Sequence, residues 1–154
     1  MIEITTGDIL KAKADALVNT VNCVGVMGRG IALQFSKAFP MVLKAYETAC
    51  KRGEVQIGRV MSCDLNRSEQ PHYVINLPTK KHWRNKSLIE YVDTGLLALV
   101  AEVQRLGIKS IAIPPLGCGL GGLDWKDVRP RIEQAFAALP EVRVLLFEPK
   151  IEKP

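Results

Sequence analysis

Residues 110–124 read SIAIPPLGCGLGGLD, and this stretch predicts one unit of an α/β fold. The apolar run that opens it is typical of a buried strand, and Asp124 is a good N-terminal cap for a following helix. Between them, Gly117, Gly119 and Gly122 form the pattern G-x-G-x-x-G, which is typical of a dinucleotide-binding loop. A dinucleotide-binding fold carries that loop in its first βαβ unit. Because only about 32 residues follow Gly122, we reject that fold.

Strands and helices alternate along the rest of the chain. Apolar runs predict further strands at residues 2–5, 16–22, 59–63, 73–77 and 142–147. Helical periodicity predicts helices at residues 31–39, 42–51, 87–106 and 124–138, with Pro40 separating the first two. Nearly continuous apolar strands between helices indicate a sheet that is covered on both faces, so the predicted fold class is α/β.

The composition is that of one globular domain. The chain has 154 residues, of which 47% are hydrophobic and 24% charged, which excludes a disordered chain and leaves no room for two ordinary domains. We predict one domain at residues 1–149 and a polar tail at 150–154, a candidate cut point before a further domain. The longest apolar runs of about six residues are too short to cross a membrane, and no secretory signal opens the chain. We therefore expect a cytoplasmic protein with no membrane partner.

The cysteines and histidines do not form a metal-binding pattern. No C-x-x-C motif is present, and only His72 and His82 are available as imidazole ligands. We expect neither a metal site nor a cofactor. Free, buried thiols are the better interpretation of the four cysteines, which are Cys23, Cys50, Cys63 and Cys118.

Two glycine-rich loops each connect a predicted strand to a helix. We call residues 25–30 the first glycine loop and residues 117–122 the second. Backbone amides at the start of a helix bind anions, so two such loops suggest a clamp around a diphosphate, although structural turns alone would also explain them. Asp8, after the first strand, can accept a hydrogen bond from an adenine amino group or simply cap a short helix. Asn22 can bind sugar hydroxyls or bond to its own backbone.

The segment at residues 78–86, here called the basic segment, is the most unusual in the chain. It follows a predicted strand and holds four cationic residues, a histidine and a tryptophan. Cations beside an aromatic ring suit a phosphate backbone with an unstacked base, whereas a solvated basic loop is the plain alternative. The net charge of +5 is compatible with an anionic ligand or nucleic acid, and it is equally compatible with a protein that binds neither. The candidate residues for binding nucleic acid, which the resemblance described below makes DNA, are Lys81, Trp83, Arg84 and Lys86.

Several of these motifs together resemble the macrodomain family of ADP-ribose-binding proteins. They are Gly7-Asp8-Ile9, Ala16-Leu17-Val18-Asn19, Gly28-Arg29-Gly30-Ile31-Ala32 and Pro115 to Gly122, in the family's order. Within the family, residues 22–32, 77–84 and 119–125 are most similar to the DNA ADP-ribosyl glycohydrolase antitoxins of DarT–DarG toxin–antitoxin systems.

The resemblance implies a three-layer α/β/α sandwich around a mixed sheet of about six strands. It also implies roles for individual residues. Asp8, Ile9 and Phe147 would hold the adenine end, Asn22 would face the distal ribose, and Lys80 would be the catalytic residue. The two loops would line that ribose and the diphosphate through Gly28, Arg29, Gly30, Leu116, Gly117, Cys118, Gly119, Leu120, Gly121 and Gly122.

The activity implied by the resemblance is the removal of ADP-ribose from thymidine in single-stranded DNA, which reverses the modification made by a toxin. ADP-ribosylated DNA is then the substrate, free ADP-ribose the product, and the cognate ADP-ribosyltransferase toxin a partner of the longer protein. Lys80 can act as a neutral nucleophile or as an ammonium that stabilises the leaving base, and the sequence leaves both open.

Other activities of the same fold remain alternatives. They are hydrolysis of protein-linked or acylated ADP-ribose, ADP-ribose recognition without turnover, and plain binding of single-stranded nucleic acid. A related animal branch pairs its lysine with an aspartate in the second glycine loop, at the position of Gly121 here. Asp124 lies three residues later, so the full pair of that branch is not carried over.

Overall fold

The computed structural model describes residues 1–150, which form a six-stranded mixed sheet. The strands lie in the order β1-β6-β5-β2-β4-β3, and only β3 runs antiparallel to its neighbour. Their bounds are Ile2–Thr5 (β1), Ala16–Val21 (β2), Met61–Asp64 (β3), Tyr73–Pro78 (β4), Ser110–Ile113 (β5) and Arg143–Phe147 (β6). The predicted α/β class and the six strands are confirmed.

Helices cover both faces of the sheet and complete the three layers. Ala16 and Val18 of β2 face one apolar cluster with the helices Ile89–Leu106 (α3) and Trp125–Phe136 (α4). Leu17 and Val21 of the same strand face a second cluster with the helices Gly30–Ala38 (α1) and Pro40–Lys51 (α2). Side chains that alternate between two buried faces explain why the strand sequence is apolar throughout.

The helix boundaries differ from the prediction by one or two residues, for identifiable reasons. Pro40 is the first residue of α2 rather than a break before it, because a proline at this position loses no helical hydrogen bond. Ser87 does not begin α3: Leu88 is the extended residue before the helix, which starts at Ile89, and Ser87 N donates to Gly121 O. The α3 helix ends at Gly107, whose φ of 66° is the left-handed conformation of a helix cap.

Asp15 fastens the amino ends of three neighbouring strands. Its carboxylate accepts hydrogen bonds from the backbone N–H of Lys109 at 2.9 Å and of Ser110 at 3.2 Å, and from the side chain of Gln70 at 3.0 Å. Its carbonyl oxygen accepts from His72 N at 2.7 Å. Burial alone would raise the pKa of Asp15, but these hydrogen bonds and the nearby His72 outweigh it, and the pKa is lowered.

The cysteines are free but less buried than we predicted. Cys23, Cys50, Cys63 and Cys118 are each only partly buried. Desolvation raises the pKa of the Cys63 and Cys118 thiols to about 11. None of the helices within residues 1–150 combines the length and apolar character that crossing a membrane requires.

Candidate functional site

The predicted site residues lie along one edge of the sheet. Five strands run parallel in the order β1-β6-β5-β2-β4, so their carboxyl ends meet at the same edge, where α/β folds bind ligands. Asp8 follows β1, and Phe147 is the last residue of β6. The first glycine loop follows β2, the second follows β5, and Lys80 follows β4. An extended ligand along this edge meets these groups in that order.

At one end of the edge, Asp8 caps a short 3-10 helix. Its Oδ1 atom accepts from Leu10 N at 3.0 Å, so the capping alternative of the sequence analysis is confirmed. The carboxylate remains exposed, and Ile9 beside it is buried. Phe147 pairs with Thr5 across β1 and β6 and is 7% exposed. A polar acceptor next to two apolar side chains is suited to the edge and face of a base.

The side chain of Asn22 shapes the first glycine loop. Its Nδ2 donates to Val26 O at 2.8 Å, and its Oδ1 accepts from Val24 N at 3.0 Å and lies 2.7 Å from the Tyr46 hydroxyl. The same hydroxyl accepts from Gly25 N at 3.3 Å. An amide group has two N–H donors, and only one of those of Asn22 is bonded within residues 1–150. Sequence reasoning missed Tyr46, whose place in α2 resembles that of any core aromatic.

The first glycine loop leads directly into the amino end of α1. Arg29 is the residue before the helix, its side chain caps none of the helix amides, and no acidic residue lies in the first turn. The free N–H groups and the helix dipole therefore favour an anion at this point. A side-chain carbon at Gly30 would lie 3.8 Å from Leu120 Cδ1, which places the tips of the two glycine loops side by side.

The second glycine loop has a tight interior. Gly117 has a φ of 72° and accepts a hydrogen bond from Leu123 N at 2.9 Å. A side-chain carbon at Gly121 would lie 2.5 Å from Gly117 O and would also collide with the Ser87 hydroxyl. The loop therefore accepts only glycine at 121, and no aspartate fits there. Asp124 caps α4 by accepting from Lys126 N at 3.1 Å.

The loop residues differ in how far they reach the solvent. Along the two loops, Leu116, Gly117 and Gly121 are buried, Cys118 is partly buried, and the exposed positions are Gly28, Arg29, Gly30, Gly119, Leu120 and Gly122. The buried members build the loops, and the exposed ones are available to a ligand.

Lys80 lies in the loop after β4, which is bonded to the end of β2 and to the loop that follows β2. Thr79 N donates to Val21 O at 3.0 Å, and Cys23 N donates to Lys81 O at 3.1 Å, so Lys80 is fastened on both sides. The Lys80 side chain is partly buried. Burial lowers the pKa of its amine, and the nearby Lys86 and Arg29 lower it further. The neutral amine is therefore more populated than in an exposed lysine.

The side chains of the basic segment point in different directions. The Arg84 guanidinium lies 4.6 Å from the centre of the Trp83 ring, and Trp83 is 40% exposed. The ring centres of His82 and Trp83 are 5.2 Å apart. Lys81 instead lies over the Tyr91 ring at 5.9 Å. Lys86, which we predicted to bind DNA, lies beside the second glycine loop. The structure thus groups Trp83 with Arg84 and separates them from Lys86.

One edge of the sheet carries two glycine loops, a carboxylate that caps a short helix, and a partly buried lysine. A known protein family matches the sequence that builds this edge. The sequence matches the Macro domain family over residues 18–132. The chain belongs to the macrodomain family. The expected three-layer fold and the resemblance stated above are thereby confirmed.

Relatives of this macrodomain share its sequence and its fold closely. The DNA ADP-ribosyl glycohydrolase of Mycobacterium tuberculosis is 52% identical over 149 residues, and that of Thermus aquaticus is 53% identical over 154 residues, which are 97% and 100% of this chain. This chain spans 42% of the length of each. The solved DarG macrodomains of the same two species superpose with TM-scores of 0.96 and 0.94, over 97% of this chain and 99% of theirs.

A third solved structure carries a ligand. It is Thermosipho africanus DarTG in complex with ADP-ribose, which is 33% identical with a TM-score of 0.89 and matches 99% of this macrodomain and 43% of the other chain.

Proposed function

We propose that this macrodomain is a hydrolase that removes ADP-ribose from thymidine in single-stranded DNA and thereby reverses the modification made by a partner toxin. The observation that carries the proposal is the position of Lys80, whose backbone is fastened to the end of β2 just before the first glycine loop and whose amine lies near the cationic Lys86 and Arg29. The identity of 52–53% to proteins named DNA ADP-ribosyl glycohydrolase supports the same substrate.

ADP-ribose would lie along the edge of the sheet in the order of its chemical groups. The adenine end falls between Asp8 and Phe147, and the diphosphate falls at the free amides of the two glycine loops and of α1. The distal ribose then reaches Asn22 and Lys80. The fixed amides at the diphosphate orient the sugar. Binding energy from a distant part of the ligand thus positions the reacting carbon.

We assign to Lys80 the role of nucleophile, because its pKa is lowered by burial, Lys86 and Arg29. The neutral amine attacks the anomeric carbon of the distal ribose, and the bond from that carbon to the thymine nitrogen breaks. The bonding electron pair stays on thymine, which takes the proton that the lysine nitrogen loses. Water then attacks the same carbon, releases ADP-ribose and returns one proton to the lysine nitrogen.

The DNA strand would leave the site over the exposed part of the basic segment. Trp83 offers a face to an unstacked base, and Arg84 and Lys81 offer charge to the phosphates. The partner of the whole protein is the toxin that modifies DNA, and the cytoplasm is where the two would meet. Residues 151–154, part of the tail where we placed a cut point, lie outside the described residues.

The proposal is tested with two matched substrates. One is a single-stranded oligonucleotide with ADP-ribose on one thymine, and the other is a peptide with ADP-ribose on a glutamate side chain. We expect release of ADP-ribose and recovery of the unmodified strand from the oligonucleotide, at a rate at least a hundredfold above release from the peptide. Faster release from the peptide would move the function to protein substrates, and binding of ADP-ribose without release from either would make the domain a reader.

A further inference from the structure

The Lys86 side chain runs along the second glycine loop. A side-chain carbon built on Gly122 would lie 3.2 Å from Lys86 Cδ and 3.4 Å from Lys86 Nζ, although Gly122 is exposed. The ammonium group therefore lies close to the loop backbone, although Lys86 itself is exposed. A lysine in this place presents its charge to whatever the loop amides bind.

The backbone next to Lys86 is fastened to the same loop. Ser87 N donates to Gly121 O at 3.0 Å, and Ser87 is only 3% exposed. The Ser87 hydroxyl, buried under the loop, has no hydrogen-bond partner among residues 1–150. These contacts fix the position from which the Lys86 side chain starts, so its place beside Gly122 is built into the fold.

The Lys86 ammonium has no counter-charge of its own. Within residues 1–150, it forms no ion pair with a carboxylate, whereas Lys126, four residues after the loop, lies 3.6 Å from Asp124. A cation held at an anion-binding loop without an acidic neighbour is ready for an anionic ligand. Lys86 is also close enough to Lys80 to lower the pKa of that amine, so the neighbouring charge is positive as well.

We propose that Lys86 binds the diphosphate of ADP-ribose, where it supplies the charge that the loop amides lack, and that it is not a contact to the DNA backbone. The proposal rests on the ADP-ribose site of the proposed function and deepens it. It also reassigns Lys86 from the DNA-binding set of the sequence analysis. The DNA strand then depends on Lys81, Trp83 and Arg84 alone.

The test measures binding of free ADP-ribose and of adenosine, without DNA, by calorimetry. For Lys86→Ala we expect about tenfold weaker binding of ADP-ribose, no change for adenosine, and recovery with Lys86→Arg. Lys37→Ala, the loss of an exposed lysine at the far end of α1, is the control for net charge and is expected to leave both affinities unchanged. Lys81→Ala is expected to weaken binding of a modified oligonucleotide but not of free ADP-ribose.

Unchanged ADP-ribose affinity in a folded Lys86→Ala protein, with weaker oligonucleotide binding, would overturn the proposal and restore Lys86 to the DNA strand. Equal weakening for adenosine would also contradict it, since adenosine has no phosphate. These outcomes are independent of turnover. A protein that binds ADP-ribose through Lys86 but fails to release it from DNA would contradict the proposed function and leave this inference standing.

Discussion

The backbone N–H of Ser87 donates to the carbonyl oxygen of Gly121 at 3.0 Å, and this bond joins the loop before α3 to the second glycine loop. The two residues are in such close contact that the Ser87 hydroxyl fills the space a side chain at 121 would need. The residue that follows the basic segment is thus fastened directly to the second glycine loop.

Gly121→Ala is expected to damage the loop, because the new carbon would lie 2.5 Å from Gly117 O, an atom of the backbone that cannot move aside. We expect a loss of several degrees in Tm and at least tenfold weaker ADP-ribose binding. Gly119→Ala is the matched control for stability, since no atom lies within 4 Å of a side-chain carbon there. Equal Tm values for the two variants would show that the space at Gly121 is not limiting.

Tyr46→Phe is expected to loosen the first glycine loop. The change removes the hydroxyl that lies 2.7 Å from Asn22 Oδ1 and accepts from Gly25 N, and it leaves these buried groups with one partner fewer. We expect the free energy of unfolding to fall by about 1 kcal/mol in urea titrations, and ADP-ribose affinity to fall several-fold. Wild-type affinity in the variant would mean that Asn22 holds the loop without Tyr46.

Much of the fold follows from local sequence. All six strands and four helices lie within two residues of their predicted bounds, because apolar runs and helical periodicity report burial directly. The strand order and the antiparallel β3 depend on contacts distant in sequence, so no local pattern predicts them. Ser87 illustrates the limit: serine is a common helix cap, yet Leu88 takes that position, and Ser87 N instead donates to Gly121 O, which is 34 positions away in the sequence.

The same division applies to the site. The glycine loops were predicted because glycine at strand ends has chemical consequences that are independent of packing, whereas Lys80 was singled out by the family resemblance. Tyr46 and the place of Lys86 were not predicted. Charge alone put Lys86 with the DNA-binding residues, whereas the fold turns its side chain along Gly122.

The rate of ADP-ribose release at saturating substrate is expected to rise with pH until Lys80 is deprotonated. Because burial, Lys86 and Arg29 lower the pKa of Lys80, the rate should level off below 10.5, the ordinary lysine value. Arg29→Met and Lys86→Met each remove one positive charge and should move the midpoint of the pH–rate profile to higher pH, whereas Lys37→Met should not. A rate that falls over the same range would instead indicate that the ammonium form is active.

Asp15→Asn is expected to reduce stability at neutral pH by about 1–3 kcal/mol, because the carboxylate accepts the N–H groups of Lys109 and Ser110. The pKa of Asp15 is lower in the folded chain than its usual 3.8, so its contribution is complete above that pH and is lost as the pH falls through the folded value. The difference in the free energy of unfolding between wild type and Asp15→Asn, measured by urea titration, should become smaller below about pH 4. Glu54→Gln, at an exposed position, is the control, and a difference that does not change with pH would contradict this account.

The most direct test of the central claim compares wild type with Lys80→Ala on a single-stranded oligonucleotide that carries ADP-ribose on one thymine. We expect wild type to release ADP-ribose and restore the strand, and the variant to be at least a hundredfold slower while it binds free ADP-ribose within threefold of wild type. An undiminished rate in Lys80→Ala would contradict the assignment of Lys80 as the nucleophile. Lost ADP-ribose binding in a folded variant would contradict the separation of binding from chemistry.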